Sequence, residues 1–229
     1  MTRIVVFSDV HGNSTAFQRF LKSAELDNAE TFVCLGDLIG YIPNPSILQT
    51  VLGSLPGDTV YLQGNHEHMV VNRQWQTEDS ILSHRKCYET LKQSQLLHYV
   101  SEWPQSYSVS GKSGVALFIH GTPQDPIFGR LTQTSVSSIA QSEFAFVFGG
   151  NTHRQFSCRL GDTVFTNVGS VGLPRDYGCI GSYALLDLEK GTVNLRRFDI
   201  GMSVSQEALT HGAHESVSAV AYRGLVQGS

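Results

Sequence analysis

Apolar residues along this chain come in short blocks that stop abruptly at polar, chemically capable ones. Arg3 to Ser8 (RIVVFS) is a β-branched apolar run ending at Asp9, His11 and Gly12, the pattern of a buried parallel strand opening into a loop. Phe17, Phe20, Leu21 and Ala24 then recur at helical spacing, which predicts a helix of about three turns with Ser14 as its N-cap. The unit repeats. TFVCLG (31–36) predicts a second strand ending at Asp37, with a helix over 43–52 after it, and DTVYLQG (58–64) a third strand ending at Asn65, His66 and Glu67. Alternating strand, loop and helix imply a parallel sheet with right-handed crossovers, in which ligands gather at the carboxyl ends of the strands.

Residues 78–99 read as helical, with Ile81, Leu82, Tyr88, Leu91 and Leu96 on roughly one face, and Trp103–Pro104 ends the pattern. From there the chain turns β-rich. SYSVS and VALFIHG flank a tight turn at 111–114, and FAFVFGG, RQFSCRL, TVFTNVG, SYALLDL and TVNLRRF follow, with hairpins expected at Gly161–Asp162 and Lys190–Gly191. No Ser/Pro/Gly-rich linker separates the halves, so a single domain over residues 1–200 with two β-rich layers is expected. Residues 201–229, with weak periodicity at Val217, Val220 and Leu225, are read as a loosely attached C-terminal helix.

Composition narrows the function. The chain has 229 residues, 41% of them hydrophobic, enough for a core without staples, and no apolar stretch is long enough to span a membrane. A net charge of −4 without a basic run argues against a stable nucleic-acid complex. The four cysteines (34, 87, 158 and 179) form no CxxC pair, and the β-like run that starts at once leads to the expectation of no secretory leader. Reduced thiols in a cytoplasmic protein are therefore expected. Nine histidines stand out against 20 acids, since His is the commonest metal ligand and acid/base near neutral pH.

Five polar sets follow apolar runs: Asp9 and His11; Asp37; Asn65 and His66; His120; Asn151 and His153. The i, i+2 pairs Asp9/His11 and Asn151/His153 would share one side of an extended backbone. Carboxylate, amide and imidazole together suit a borderline divalent ion such as Mn, Fe or Zn, and one Asp reaching two ions would give the paired arrangement that clamps attacking and leaving oxygens. His84, His98, His211 and His214 fall outside the pattern and are read as ordinary surface or core residues. Gly111-Lys112-Ser113 is read as a hairpin turn, because a phosphate loop would need Gly where Ser106 stands.

The ordered series SDVHGN (8–13), GDLIGY (36–41), GNHE (64–67), IHG (119–121) and GNTH (150–153) resembles the calcineurin-like metallophosphoesterase superfamily. NVGSVGLPRD (167–176) with SYALLDL (182–188) is similar to its small bacterial and archaeal phosphoesterases, related to diadenosine-tetraphosphate hydrolases. The resemblance implies an α/β four-layer α/β/β/α sandwich of two mixed sheets flanked by helices. It also implies a dinuclear centre, with Asp9, His11 and His153 on one ion, Asp37 bridging, and Asn65 and His120 on the other. A hydroxide between the ions would attack a phosphodiester, phosphomonoester or diadenosine polyphosphate, and His66 would act as an imidazolium over the phosphorus.

Two positions depart from the superfamily pattern. Asn151 stands where a second histidine is usual, which makes it a doubtful ligand and the second site weaker. Gly40 stands where protein phosphatases carry an Asp that supports the catalytic His, which weakens a protein-phosphatase reading. The expected partner is a small phosphorylated molecule or nucleotide, with Arg175 and Tyr41 as candidate substrate contacts. Arg175 is as readily paired with Asp176 or another acid, and Tyr41 is read first as shaping its Pro-rich turn. The competing class is a non-catalytic binding or scaffold module on the same fold.

Overall fold

The computed structural model describes residues 3–75, 78–139 and 143–224, without the side chains of 78–80. The first sheet is centred on β1 (Arg3–Phe7), which pairs in parallel with β2 (Thr31–Cys34), itself parallel to β3 (Val60–Tyr61). On its other edge β1 pairs antiparallel with β9 (Ile180–Asp187), and β9 with β10 (Thr192–Asp199), so the strand order is β10-β9-β1-β2-β3. The second sheet contains β4 (Ser106–Gly111), β5 (Gly114–Ile119), β6 (Phe146–Gly149), β7 (Phe156–Leu160) and β8 (Thr163–Asn167) in the order β4-β5-β6-β8-β7. Both are mixed, and the hairpins at 161–162 and 188–191 turn on Gly161 and Gly191.

Side-chain alternation divides the core. Along β1, Ile4 and Val6 pack into the layer between the sheets with Ala116, Phe118, Phe146 and Phe148, whose Phe118 and Phe148 rings stack at 5.2 Å. Val5 and Phe7 face the other way, onto Phe17 and Phe20 of α1 (Ser14–Glu25) and onto Ile47, Leu48 and Val51 of α2 (Ile47–Ser54). The same period of two sends Leu117, Ile119 and Val147 to the outer face of the second sheet, under Leu131, Val136 and Ile139. That outer layer is thin, a segment with a single 3-10 turn at Val136–Ser138 among the described residues.

The helix boundaries differ from those expected. The N-cap of α1 is Asn13 rather than Ser14: its Oδ1 accepts from Ala16 N at 2.9 Å while its Nδ2 donates to Gly172 O and Ser203 Oγ. The second helix starts at Ile47, past the prolines. The 78–99 segment is two helices, α4 (Glu78–Gln93) and α5 (Leu96–Ser101), broken where Gln95 takes a left-handed φ of 62°. A short α3 (Asn65–Val71) begins directly at the third polar motif, where a loop was expected.

The C-terminal segment is not loosely attached. It forms α6 (Ser203–His211), α7 (Glu215–Ser218) and a 3-10 turn at Ala219–Tyr222, and Val204, Ala208, Val217, Val220 and Ala221 are buried in the same core as α1. Glu207 Oε1 accepts from both Thr15 N (2.8 Å) and Thr15 Oγ1 (2.7 Å), which ties α6 to the start of α1. Burial of each such apolar side chain contributes about 1.5–3 kcal/mol, more than weak periodicity suggests. Leu225 lies outside the described residues. The four cysteines are free thiols, and no helix among the described residues is long and apolar enough to cross a membrane.

Candidate metal centre

Five strand ends converge. Asp9 and His11 follow β1, Asp37 follows β2, Asn65 opens α3, His120 follows β5, and Asn151 and His153 follow β6. The expected same-side placement on extended backbone is not how they meet. Asp9, His11, Asp37, Asn151 and His153 all take left-handed φ, between 51° and 63°, a conformation that costs about 1–3 kcal/mol at a non-glycine residue and needs surrounding bonds to hold it. Those bonds come from the second half of the chain. Ser170 Oγ donates to Asp9 O, Gly172 N donates to the same carbonyl, and Asn167 Nδ2 donates to Gly150 O and Thr152 Oγ1. At Gly172 a Cβ would stand 1.9 Å from Val10 O, so only glycine permits this brace.

Ligand atoms of Asp9, His11, Asp37 and His153 lie within 4.8 Å of one another, and all four residues are buried. His153 Nε2 is 3.1 Å from Asp9 Oδ1 and 3.1 Å from His11 Nε2. Asp37 Oδ2 lies between two groups, 3.7 Å from His11 Nε2 and 3.3 Å from His120 Nε2, and His120 Nε2 is 2.9 Å from Asn65 Oδ1.

Whether these residues suit a cation follows from where their ring protons are used. His11 Nδ1 lies 3.2 Å from Ile39 O, His120 Nδ1 3.1 Å from Leu35 O and His153 Nδ1 2.6 Å from Leu173 O. A carbonyl can only accept, so each Nδ1 carries a proton, and each ring in its neutral form turns an Nε2 lone pair inward. His11 and His153 thereby face each other lone pair to lone pair, His120 faces an amide oxygen, and the buried Asp9 Oδ1 accepts no hydrogen bond among the described residues. Converging acceptors without a donor fit a divalent cation. The chain alone compensates with charge. Burial pulls His120 down, but Asp37 outweighs it and pushes the imidazole up to about 9. Burial likewise opposes ionisation of Asp9 and Asp37, yet His153 beside the first and His120 beside the second hold both carboxyls well below the usual range.

Asn151 donates from Nδ2 to Gly129 O at 2.9 Å and from its backbone N to Asp9 Oδ2 at 3.2 Å. Only its Oδ1 remains to face a cation. Tyr41 packs edge-on to His11 and against His66, and Arg175 donates to its hydroxyl at 3.0 Å. Asp176, the alternative partner for Arg175, pairs instead with Arg197.

His66 packs against the His11 and Tyr41 rings. It is buried, and desolvation with the nearby His11, His84 and His153 pulls it well below the ordinary histidine range in spite of Asp37. Two residues that local pattern did not assign to the site also belong to it. Glu67 is buried and accepts three backbone N–H bonds, from Asp37 (2.7 Å), Gly64 (3.0 Å) and Ile39 (3.2 Å). Burial and Asp37 push its carboxyl up to about 7. His84, read from the sequence as an ordinary histidine, is fully buried with Nε2 2.7 Å from His66 Nδ1. Glu67 was legible in the GNHE motif, but nothing near residue 84 marked it. His98, His211 and His214 make surface contacts with Glu102, Glu207 and Ser216, away from the centre.

Two mixed sheets with a buried carboxylate–imidazole cluster at their strand ends define a metallophosphoesterase-type protein. The chain matches the calcineurin-like phosphoesterase superfamily domain over residues 2–191 and belongs to that superfamily. It is 23% identical over 225 residues to the uncharacterized protein MJ0912 of Methanocaldococcus jannaschii, covering 90% of this chain and 91% of that one. Its fold is similar to that of a metallophosphoesterase from Sphaerobacter thermophilus (TM-score 0.78, 23% identity, 98% and 99% of the two chains covered). The hypothetical protein PH1004 from Pyrococcus horikoshii OT3 is similar in the same way (TM-score 0.81, 16% identity, 98% and 99% covered).

Proposed function

We propose that this protein is a metal-dependent phosphoesterase acting on a small phosphorylated molecule or nucleotide, with phosphodiesters the first class to test. The observation that carries the reading is the set of inward Nε2 lone pairs around Asp9 and Asp37. In this reading Asp9, His11 and His153 hold one ion, Asp37 is shared, and Asn65 and His120, with the Asn151 amide oxygen, hold a second of the Mn, Fe or Zn type. Bound there, the ions supply Lewis-acid polarisation of a phosphoryl oxygen and acidify water near neutral pH. The chain's own residues do the rest. His66 directs Nε2 toward the centre, 4.0 Å from Asp37 Oδ2, and donates to charge developing on the phosphoryl group or leaving oxygen.

Arg175 is placed by Tyr41 at the rim, with Arg223 near enough to be repelled by Arg175 and Arg154, and such neighbouring guanidinium groups suit a phosphate or polyphosphate. A groove of about 410 Å³ is lined in part by Thr152 and Arg154, the chain neighbours of His153, and is a candidate seat for the rest of the substrate.

Hydrolysis of bis-p-nitrophenyl phosphate with added Mn tests the reading. Turnover that falls at least about a hundredfold in Asp37→Asn supports it. Folded, Mn-bound protein with no turnover on a panel of monoesters, diesters and diadenosine polyphosphates would overturn it in favour of a binding module.

A further inference from the structure

His66 has a partner of an unexpected kind. At Gly40 a Cβ would stand 2.6 Å from His66 Nδ1 and 2.9 Å from its Cγ, so no side chain at that position can serve the ring. The service comes from α4. His84 Nε2 lies 2.7 Å from His66 Nδ1 with the rings near edge-on at 70°, and the neighbouring Ser83 hydroxyl donates to Gly40 O, clamping α4 onto the same loop.

The direction of the His66–His84 bond follows from the other side of His84. Its Nδ1 is buried with no hydrogen-bond partner among the described residues. A buried N–H left without an acceptor is the less tolerated of the two orphans, so the ring carries its proton on Nε2 and donates to His66 Nδ1. His66 must then carry its own proton on Nε2, the nitrogen turned to the centre. A second proton on His66 Nδ1 would reverse the bond only if the His84 proton passed to its own Nδ1, the buried nitrogen without an acceptor, so the pair holds His66 as the neutral ring with Nε2–H inward.

We infer that His84 is a positioning residue that pins the tautomer and ring orientation of His66, so that an Nε2–H faces the reacting phosphoryl group. The kinetic consequence rests on the phosphoesterase reading; the tautomer does not.

Two arms separate these. Long-range 1H–15N spectra of 15N-histidine protein, metal-free and zinc-loaded, read the tautomer directly. The expected result is Nε2–H on His66 in the native protein and in His84→Gln, whose amide can donate from a similar place, and a mixture in His84→Leu. An Nδ1–H tautomer in the native protein, or no difference between native and His84→Leu, overturns the inference whatever the activity.

In Mn-loaded enzyme, His84→Leu should lower kcat about fivefold to tenfold, the worth of one hydrogen bond, with KM held. The loss should grow as the leaving group becomes more basic, vanish in a His66→Ala background, and be mostly restored in His84→Gln. A loss of equal size without His66, or no rescue by Gln, assigns His84 a merely structural role. If His84→Leu does not fold, the native and His84→Gln spectra and rates still decide. Failure of the native protein to hydrolyse any ester would remove the phosphoesterase reading and leave the spectral arm intact.

Discussion

Glu67 is the buried group on which the geometry of Asp37 most depends, and Glu67→Ala makes that dependence measurable. Asp37 holds a left-handed φ of 56°, and its own N–H, with those of Ile39 and Gly64, ends on the Glu67 carboxylate. Removing the carboxylate orphans three buried donors at about 1–3 kcal/mol each. Water entering the vacated space and relief of the repulsion between Glu67 and Asp37 bring the expected cost to about 3–6 kcal/mol. For a chain of this size that is a fall in Tm of about 6–24 °C. Urea unfolding of metal-free protein at a pH above 7, where Glu67 is ionised, is the assay, with Mn titration alongside. Because Asp37 is shared between the two groups of ligands, Mn affinity should fall as well. A cost under about 1 kcal/mol with unchanged m-value and unchanged Mn affinity would refute the view that Glu67 supports the strained loop.

Manganese at a hundredfold excess over Kd should raise Tm by about 5–10 °C, and EDTA or His153→Ala should abolish the shift; equal thermal scans with and without metal would count against the centre. Gly40→Ala places a methyl against the His11 and His66 rings at a φ of 140°, and is expected to cost about 2–4 kcal/mol and to weaken metal binding, read by unfolding and calorimetry. Asn151→His should tighten the second ion while losing the bond to Gly129 O, worth about 1 kcal/mol; calorimetry of metal-free protein showing no gain would remove Asn151 from that site. Far from the centre, burial opposes ionisation of Asp27, but Arg196 and the Tyr183 hydroxyl outweigh it and hold the carboxyl below its usual range. A depressed acid stabilises the fold above its unfolded pKa, near 4, and that stability is lost as pH falls through the folded value. Asp27→Asn should therefore narrow its stability gap to the native protein as urea midpoints are followed into acid.

The run-and-turn pattern reached a single domain with two β-rich layers, and the motif resemblance implied the four-layer sandwich; β1 reads as an unbroken apolar run because Ile4 and Val6 face the second sheet while Val5 and Phe7 face the helix layer. The same pattern also marked the ends of β1, β2, β5 and β6, where apolar runs stop at ligand-type residues. The helix cap at Asn13, the break at Gln95 and the docking of 203–222 were not legible. Each is settled by distant partners, Gly172 and Ser203 for the cap and the α1 layer for the tail, which leave no mark in a local window.

By itself the sequence determined which chemical groups are available and that they sit at strand ends, since those facts are carried by residue type and spacing within a few positions. Only the tertiary structure decided which nitrogens face inward, that the loops are left-handed rather than extended, and that His66 is served by a histidine from α4. Those depend on backbone carbonyls at Ile39, Leu35 and Leu173 and on a helix 18 residues downstream. A ring's tautomer and direction are set by what it touches, and contacts between separate elements exist only once the chain has folded.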